Sequence, residues 1–281
     1  MNNLCRLTGP LLVFGGVYSN LAALEALMAL AKAHGIPPAN IICTGDVVAY
    51  CAEPEASVRA IRDWGIACIA GNVALQLIHD ADDCGCYLED NTRCDLFSKN
   101  WYPYAKRQLS AASLDWLGQL PLYLRFDYAG KRCVVLHGSY EETAEFVFKS
   151  TPWARKADQL QKADADVVLA GHCGLPIYDV NDGQYWINAG VIGMPANDGS
   201  PQVWYALLDD RDDQLSVRHQ AYHYDYERTA QLMEAARLPA AYAHTLRTGI
   251  WDNCDILPPP ETRQQGNPHQ FLAQAAALPT Y

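Results

Sequence analysis

An α/β (α+β) architecture, two packed mixed β-sheets with helices on the outside, is predicted by three observations in this 281-residue sequence. Residues 11–70 alternate short β-rich runs with helical patterns in the order β-α-β-α-β, which sets strands parallel and side by side. Residues 122–221 hold seven further strand-like runs, which favours two sheets over one doubly wound sheet. Four apolar runs end in a polar turn containing glycine: Cys43-Thr44-Gly45-Asp46, Ala70-Gly71-Asn72, Leu136-His137-Gly138 and Ala170-Gly171-His172. With 50% hydrophobic residues, the chain can bury a substantial core.

The first strand leads to Asn20, which can cap a helix carrying Leu21, Leu24, Leu27, Met28 and Leu30, ended by Gly35 and Pro37. Ile41-Ile42-Cys43 forms the second strand. Pro54 opens a helix containing Val58, Ile61 and Trp64, and residues 66–70 are the third strand. Residues 80–100, acidic and cysteine-containing, are expected to form an insertion over the strand ends, and residues 101–120 read as helical, with Leu109, Leu114, Trp116 and Leu117 as the apolar stripe. Strands follow at 122–126, 132–136, 167–170, 176–180, 184–187, 202–208 and 214–221, with Asn181-Asp182-Gly183 as a hairpin turn. The core domain is therefore residues 1–223. Residues 224–257 form a helical extension, with helices at 227–236 and 240–248 and Gly249 as the stop. Pro258-Pro259-Pro260 begins an extended linker and tail, 258–281.

A net charge of −11 disfavours an electrostatic grip on a nucleic-acid backbone or an anionic membrane. No apolar run is long enough to span a bilayer. Arg6 and Pro10 interrupt any signal-peptide pattern, so the cytoplasm is the expected compartment. Ten cysteines are many for a reduced compartment, yet a chain of this size needs no disulfide to fold.

The polar residues of the four turns can converge where strand ends meet. Asp46, Asn72, His137 and His172 would then form an oxygen and imidazole site suited to Mn, Fe or Zn. Such a site keeps a net positive charge and can polarise a phosphoryl oxygen or a water. A lone histidine beside a strand is more often structural, but these two occur together with Asp46 and Asn72. His34, His79, His219, His223, His244 and His269 lack that context and read as surface or packing residues.

The same series of turns resembles the calcineurin-like metallophosphoesterase superfamily, in particular its compact bacterial phosphodiesterase and phosphatase branch, over nearly the whole chain. The resemblance implies a four-layer αββα sandwich. In the family the opening motif D-x-H-G-N is followed by G-D, G-N-H, an isolated H-G and G-H-x-H. Here Gly16 stands for the opening Asp, Tyr18 for its His, Val73 for the His that assists catalysis and Gly174 for the last His. Three ligands of one metal cage are thus replaced, whereas Asp46, Asn72, His137 and His172 match every protein ligand of the other. The resemblance implies one transition-metal ion where relatives hold two, or a missing cage rebuilt from other residues.

Tyr18 and Asn20 are the candidate catalytic residues. Asn20 can donate to a phosphate oxygen or simply cap a helix, and Tyr18 can ligate, donate or merely fill the vacated space. Cys84, Cys86 and Cys94 can replace a ligand or form a reversible disulfide, but the C-x-C spacing is a weak zinc signature and buried free thiols are the default. Asn188, in a loop resembling the family's late N-x-G-S-x-G-x-P segment, is expected beside His172. The loss at Val73 implies a preference for good leaving groups. The expected activity is hydrolysis of a small phosphomonoester or phosphodiester. Its alternative is a catalytically impaired relative that binds metal or a phosphate-containing ligand in a regulatory role.

Overall fold

The computed structural model describes residues 2–3, 6–86 and 92–271. In chain order its strands are β1 (Asn2–Asn3), β2 (Leu11–Phe14), β3 (Ile41–Cys43), β4 (Ala67–Cys68), β5 (Leu124–Tyr128) and β6 (Lys131–Val135). They continue with β7 (Val167–Ala170), β8 (Pro176–Asn181), β9 (Gln184–Ala189), β10 (Val203–Asp209) and β11 (Ser216–Tyr222). The helices are α1 (Leu21–Ala33), α2 (Pro54–Trp64), α3 (Asn72–Ile78), α4 (Arg93–Gln108), α5 (Ala111–Leu117), α6 (Trp153–Lys162), α7 (Tyr226–Ala235), α8 (Ala240–Thr248) and α9 (Pro259–Thr262).

One sheet runs β11-β10-β2-β3-β4, with β2, β3 and β4 parallel and β10 antiparallel to both its neighbours. The other runs β1-β5-β6-β7-β9-β8, with β6, β7 and β9 parallel. Alternation along each strand makes the layers. Leu11 and Val13 of β2 join Val135 of β6, Val167 and Leu169 of β7 and Ile187 of β9 in a core between the sheets, while Leu12 and Phe14 face the helices that carry Leu24, Leu27 and Val58. On the far side Val134, Val168 and Trp186 pack on Leu160 of α6. The result is the four-layer αββα sandwich. All four candidate ligands follow the carboxyl ends of parallel strands: Asp46 after β3, Asn72 after β4, His137 after β6 and His172 after β7.

Several expectations are corrected. The helix read over 101–120 is two helices, α4 and α5, broken at Leu109 and Ser110, where the Ser110 side chain accepts from Ser113 N and caps α5. Residues 93–100 of the expected insertion are the first part of α4, and residues 87–91 lie outside the described residues. Pro258 is extended, but Pro259 and Pro260 open the short helix α9, since proline's fixed φ suits a first helical turn. The tail packs back through Phe271, which stacks on His219, and His269 Nε2 bonds the Ala196 carbonyl at 3.0 Å; residues 272–281 are outside the described part. At the hairpin, Asp182 and Gly183 both have positive φ, as a two-residue primed turn requires. No helix among the described residues is long and apolar enough to cross a membrane.

Candidate metal centre

Asp46, His137 and His172 come from both sheets, yet each offers a ligand atom within 4.8 Å of the others, and all three are buried. The β3 and β6 strand ends are tied together here, because the Thr44 carbonyl accepts from His137 Nδ1 at 2.7 Å. Gly171 N donates to the His137 carbonyl at 2.8 Å, which fixes the His172 turn beside it. Asp46 and His172 both adopt left-handed backbone conformations, φ 51° and 60°, a strained state that sets their side chains toward the common point. Gly71 lies against the Asp46 carboxylate so closely that a Cβ there would come within 2.0 Å of Oδ1. The G-N turn needs glycine for close approach, not for an unusual φ.

The contact between His137 and Asp46 needs a proton or a metal ion to join them. His137 Nδ1 must donate to a carbonyl, so in the neutral ring Nε2 carries a lone pair, and Nε2 sits 3.0 Å from Asp46 Oδ2. Two acceptors face each other unless a proton or a metal ion lies between them. Burial alone would lower the proton affinity of His137, but the Asp46 charge and hydrogen bond, with the Thr44 carbonyl, raise it on balance. His172 is pushed the other way, to about 3, by burial first and then by His137, so its ring is neutral and ready to ligate. Neither His172 nitrogen has a well-shaped hydrogen bond, although the Ala144 backbone lies near enough to favour its protonation.

Asn72 enters at the start of α3 with its amide nitrogen committed to the Cys84 carbonyl at 2.8 Å and the Cys86 sulfur at 3.3 Å. That orientation leaves Oδ1 buried and without a partner, as is Asp46 Oδ1. A divalent cation would satisfy this donor set of one carboxylate, one amide oxygen and two imidazoles, which suits a transition metal such as Mn, Fe or Zn.

The two candidate catalytic residues separate. Asn20 is fully buried, and its side chain is spent on structure: Oδ1 accepts from Ala23 N at 3.2 Å and Thr229 Oγ1 at 2.8 Å, while Nδ2 donates to the Gly193 carbonyl and the Tyr224 hydroxyl. The reading of Asn20 as a phosphate donor is therefore corrected to a helix cap that also pins the C-terminal extension. Asn20→Ala should destabilise the fold by roughly 2–4 kcal/mol, adding a lost cap to two stranded buried hydroxyls. Denaturant unfolding of this variant checks it, with metal content unchanged; a stable variant that had lost its metal would overturn the assignment.

Tyr18, by contrast, lines the cavity with Asp46 and His172. Its ring takes the space above Gly16, where a Cβ would lie 2.3 Å from a ring carbon. An Asp at position 16 and this tyrosine conformer are mutually exclusive. Near Gly174 stand the Trp251 ring, 3.5 Å from a Cβ built there, and the Tyr18 hydroxyl at 4.0 Å. Burial, then Asp46, raises the phenol's pKa well above its ordinary value, so Tyr18 is a neutral donor. Val73 is buried in the helical core and offers no acid.

Asn188 brackets the His172 turn, donating to the Gly171 carbonyl at 2.6 Å and the Cys173 sulfur at 3.2 Å. Cys84, Cys86 and Cys94 line the same cavity as free thiols, outside the Asp46, His137 and His172 cluster. His219 and His269 are packing residues, both stacked near Phe271. Reading the sequence missed Thr44 as the anchor of His137 and missed the aromatic wall of the cavity. The G-D motif held a signal for the first; nothing local marked Tyr242 or Trp251.

Fold and site together define an αββα domain with a possible Asp/His/His metal site at its strand ends. The calcineurin-like phosphoesterase superfamily domain matches residues 11–213, and the chain belongs to that family, whose members use divalent metals. An uncharacterized protein of Methanocaldococcus jannaschii is 27% identical over 247 residues, covering 81% of this chain and 93% of its own length. The crystal structure of a metallophosphoesterase from Sphaerobacter thermophilus superposes with a TM-score of 0.67 at 26% identity, over 87% of this chain and all (100%) of that one. A hypothetical protein from Pyrococcus horikoshii has the same fold, with a TM-score of 0.72 at 19% identity, over 88% of this chain and 100% of its own.

Proposed function

We propose that this protein is a metal-dependent phosphoesterase that hydrolyses a small phosphomonoester or phosphodiester with a single transition-metal ion held by Asp46, Asn72, His137 and His172. One observation carries the reading. Ligand atoms of Asp46, His137 and His172 lie within 4.8 Å of one another beside a cavity, Asn72 keeps a buried unpartnered Oδ1, and Tyr18 takes the space above Gly16 with Trp251 beside Gly174. When bound, the ion would supply Lewis acidity to a phosphoryl oxygen or a water.

The chain's own residues do the rest. Thr44 fixes the His137 tautomer through Nδ1 and leaves Nε2 for ligation. Cys84 and Cys86 turn the Asn72 amide so that Oδ1 faces away from them. Tyr18, neutral and at the cavity wall, donates to a phosphoryl oxygen. Tyr18→Phe should lower kcat about 10- to 100-fold at unchanged metal content, the loss of one positioned donor. An unchanged kcat would leave Tyr18 as filler.

Val73 favours substrates with good leaving groups, and it also supports a second reading, a binding protein that has lost its acid catalyst. Metal analysis with a panel of phosphomonoesters and phosphodiesters separates the two. A purified protein that binds metal yet turns over no ester at any metal loading is the regulatory relative.

A further inference from the structure

A partly open cavity of about 90 Å³ lies beside Asp46 and His172, and its wall extends beyond them. That wall is aromatic. Tyr18 meets Tyr50 edge-on at 4.7 Å, Tyr50 meets Trp101 at 5.0 Å and Tyr242 at 4.9 Å, and Trp251 completes the lining. Trp251 is anchored rather than loose: Nε1 donates to the Pro195 carbonyl and its backbone N–H to Asn197 Oδ1, each at 2.8 Å.

Among the described lining residues there is no lysine or arginine. The ionisable groups of the wall include two carboxylates, Asp46 and Asp252, and the latter is engaged by Arg93. The described wall therefore offers phosphate neutral donors such as Tyr18 but no Lys or Arg charge. A divalent ion with Asp46, one amide and two neutral imidazoles has a net charge of +1. A singly charged ester neutralises it, whereas a doubly charged monoester leaves an uncompensated negative charge in an apolar enclosure.

Resting on the single-ion reading above, we propose that the space given up by the second metal cage has become a substrate subsite. In it Tyr50, Tyr242 and Trp251 hold an aromatic or apolar substituent of a singly charged phosphodiester, in preference to a doubly charged phosphomonoester. Charge balance selects the diester and the ring wall selects its substituent.

Bis(4-nitrophenyl) phosphate and 4-nitrophenyl phosphate share a leaving group and differ in charge, and kcat/KM should favour the diester at least about tenfold. Titration calorimetry of the metal-loaded protein with diphenyl phosphate and phenyl phosphate gives a second readout, with the diester expected to bind tighter. Trp251→Leu should raise KM for the bis-aryl ester roughly 3- to 10-fold more than for methyl 4-nitrophenyl phosphate. Tyr242→Leu is the substitute should the tryptophan variant not fold. Preference for the monoester, or equal losses for aryl and methyl esters, overturns the subsite and leaves the phosphoesterase reading intact. If no ester is hydrolysed, that reading fails instead, and the calorimetric comparison alone decides the subsite.

Discussion

Asp46→Ala should empty the metal centre and abolish phosphoester hydrolysis while leaving a folded protein. Asp46 is the one carboxylate of the Asp46, His137 and His172 cluster, and its Oδ1 has no protein partner. Partners that only orient a ligand are worth about 10- to 100-fold in metal affinity, so loss of the charged ligand itself should cost on the order of 10³-fold or more. The fold should survive because His137 needs its extra proton only opposite Asp46. Without the carboxylate the ring can become neutral and keep its bond to Thr44, so no buried charge is stranded. The strained backbone at position 46, φ 51°, persists with alanine at a cost of about 1–3 kcal/mol. Metal analysis and denaturant unfolding of the same sample test both halves; turnover equal to the parent would remove Asp46 from the reaction.

How far such a centre can be read from sequence depends on whether its causes are local. Asp46, His137 and His172 were legible because each follows an apolar β-rich run and stands beside a glycine that lets strand ends approach, and both facts are visible in a few consecutive residues. The layers were legible for the same reason, since alternation in Leu11-Leu12-Val13-Phe14 feeds two different cores. Asn20 was legible as a cap but not as a clamp. Its partners Tyr224 and Thr229 lie more than two hundred residues away and bear no motif, with a separation of 209 for Thr229.

Besides α9, two helices escaped notice on physical grounds. In α6 a core-facing position is Lys156, fully buried and paired with Asp179 at 2.6 Å, so the apolar stripe that marks a helix is interrupted. In α3 the helix begins at Asn72 itself and lasts seven residues, too short for periodicity to show. The aromatic wall was hidden because it is assembled from four separate segments: Tyr18 and Tyr50 from strand-end loops, Trp101 from α4, and Tyr242 and Trp251 from the C-terminal extension. Each ring alone reads as core.

Loading the purified protein with its metal should raise the melting temperature by about 5–10 °C over the chelated form. Without an ion the native state buries Asp46 Oδ1, Asn72 Oδ1 and the His172 ring nitrogens without good partners, and each such group costs about 1–3 kcal/mol. A ligand at one hundred times its Kd that binds only the native state adds about 2.7 kcal/mol. For a chain of this size, each kcal/mol moves the transition by roughly 2–4 °C. The effect should vanish in Asp46→Ala, which lacks the carboxylate, and persist in Asn20→Ala from a lower starting point, because the cap lies outside the cluster. That contrast is sharper than activity, because it reports ion binding whether or not a suitable ester has been found. Equal melting temperatures with and without metal in the parent protein would mean that these buried atoms are satisfied by something other than a cation.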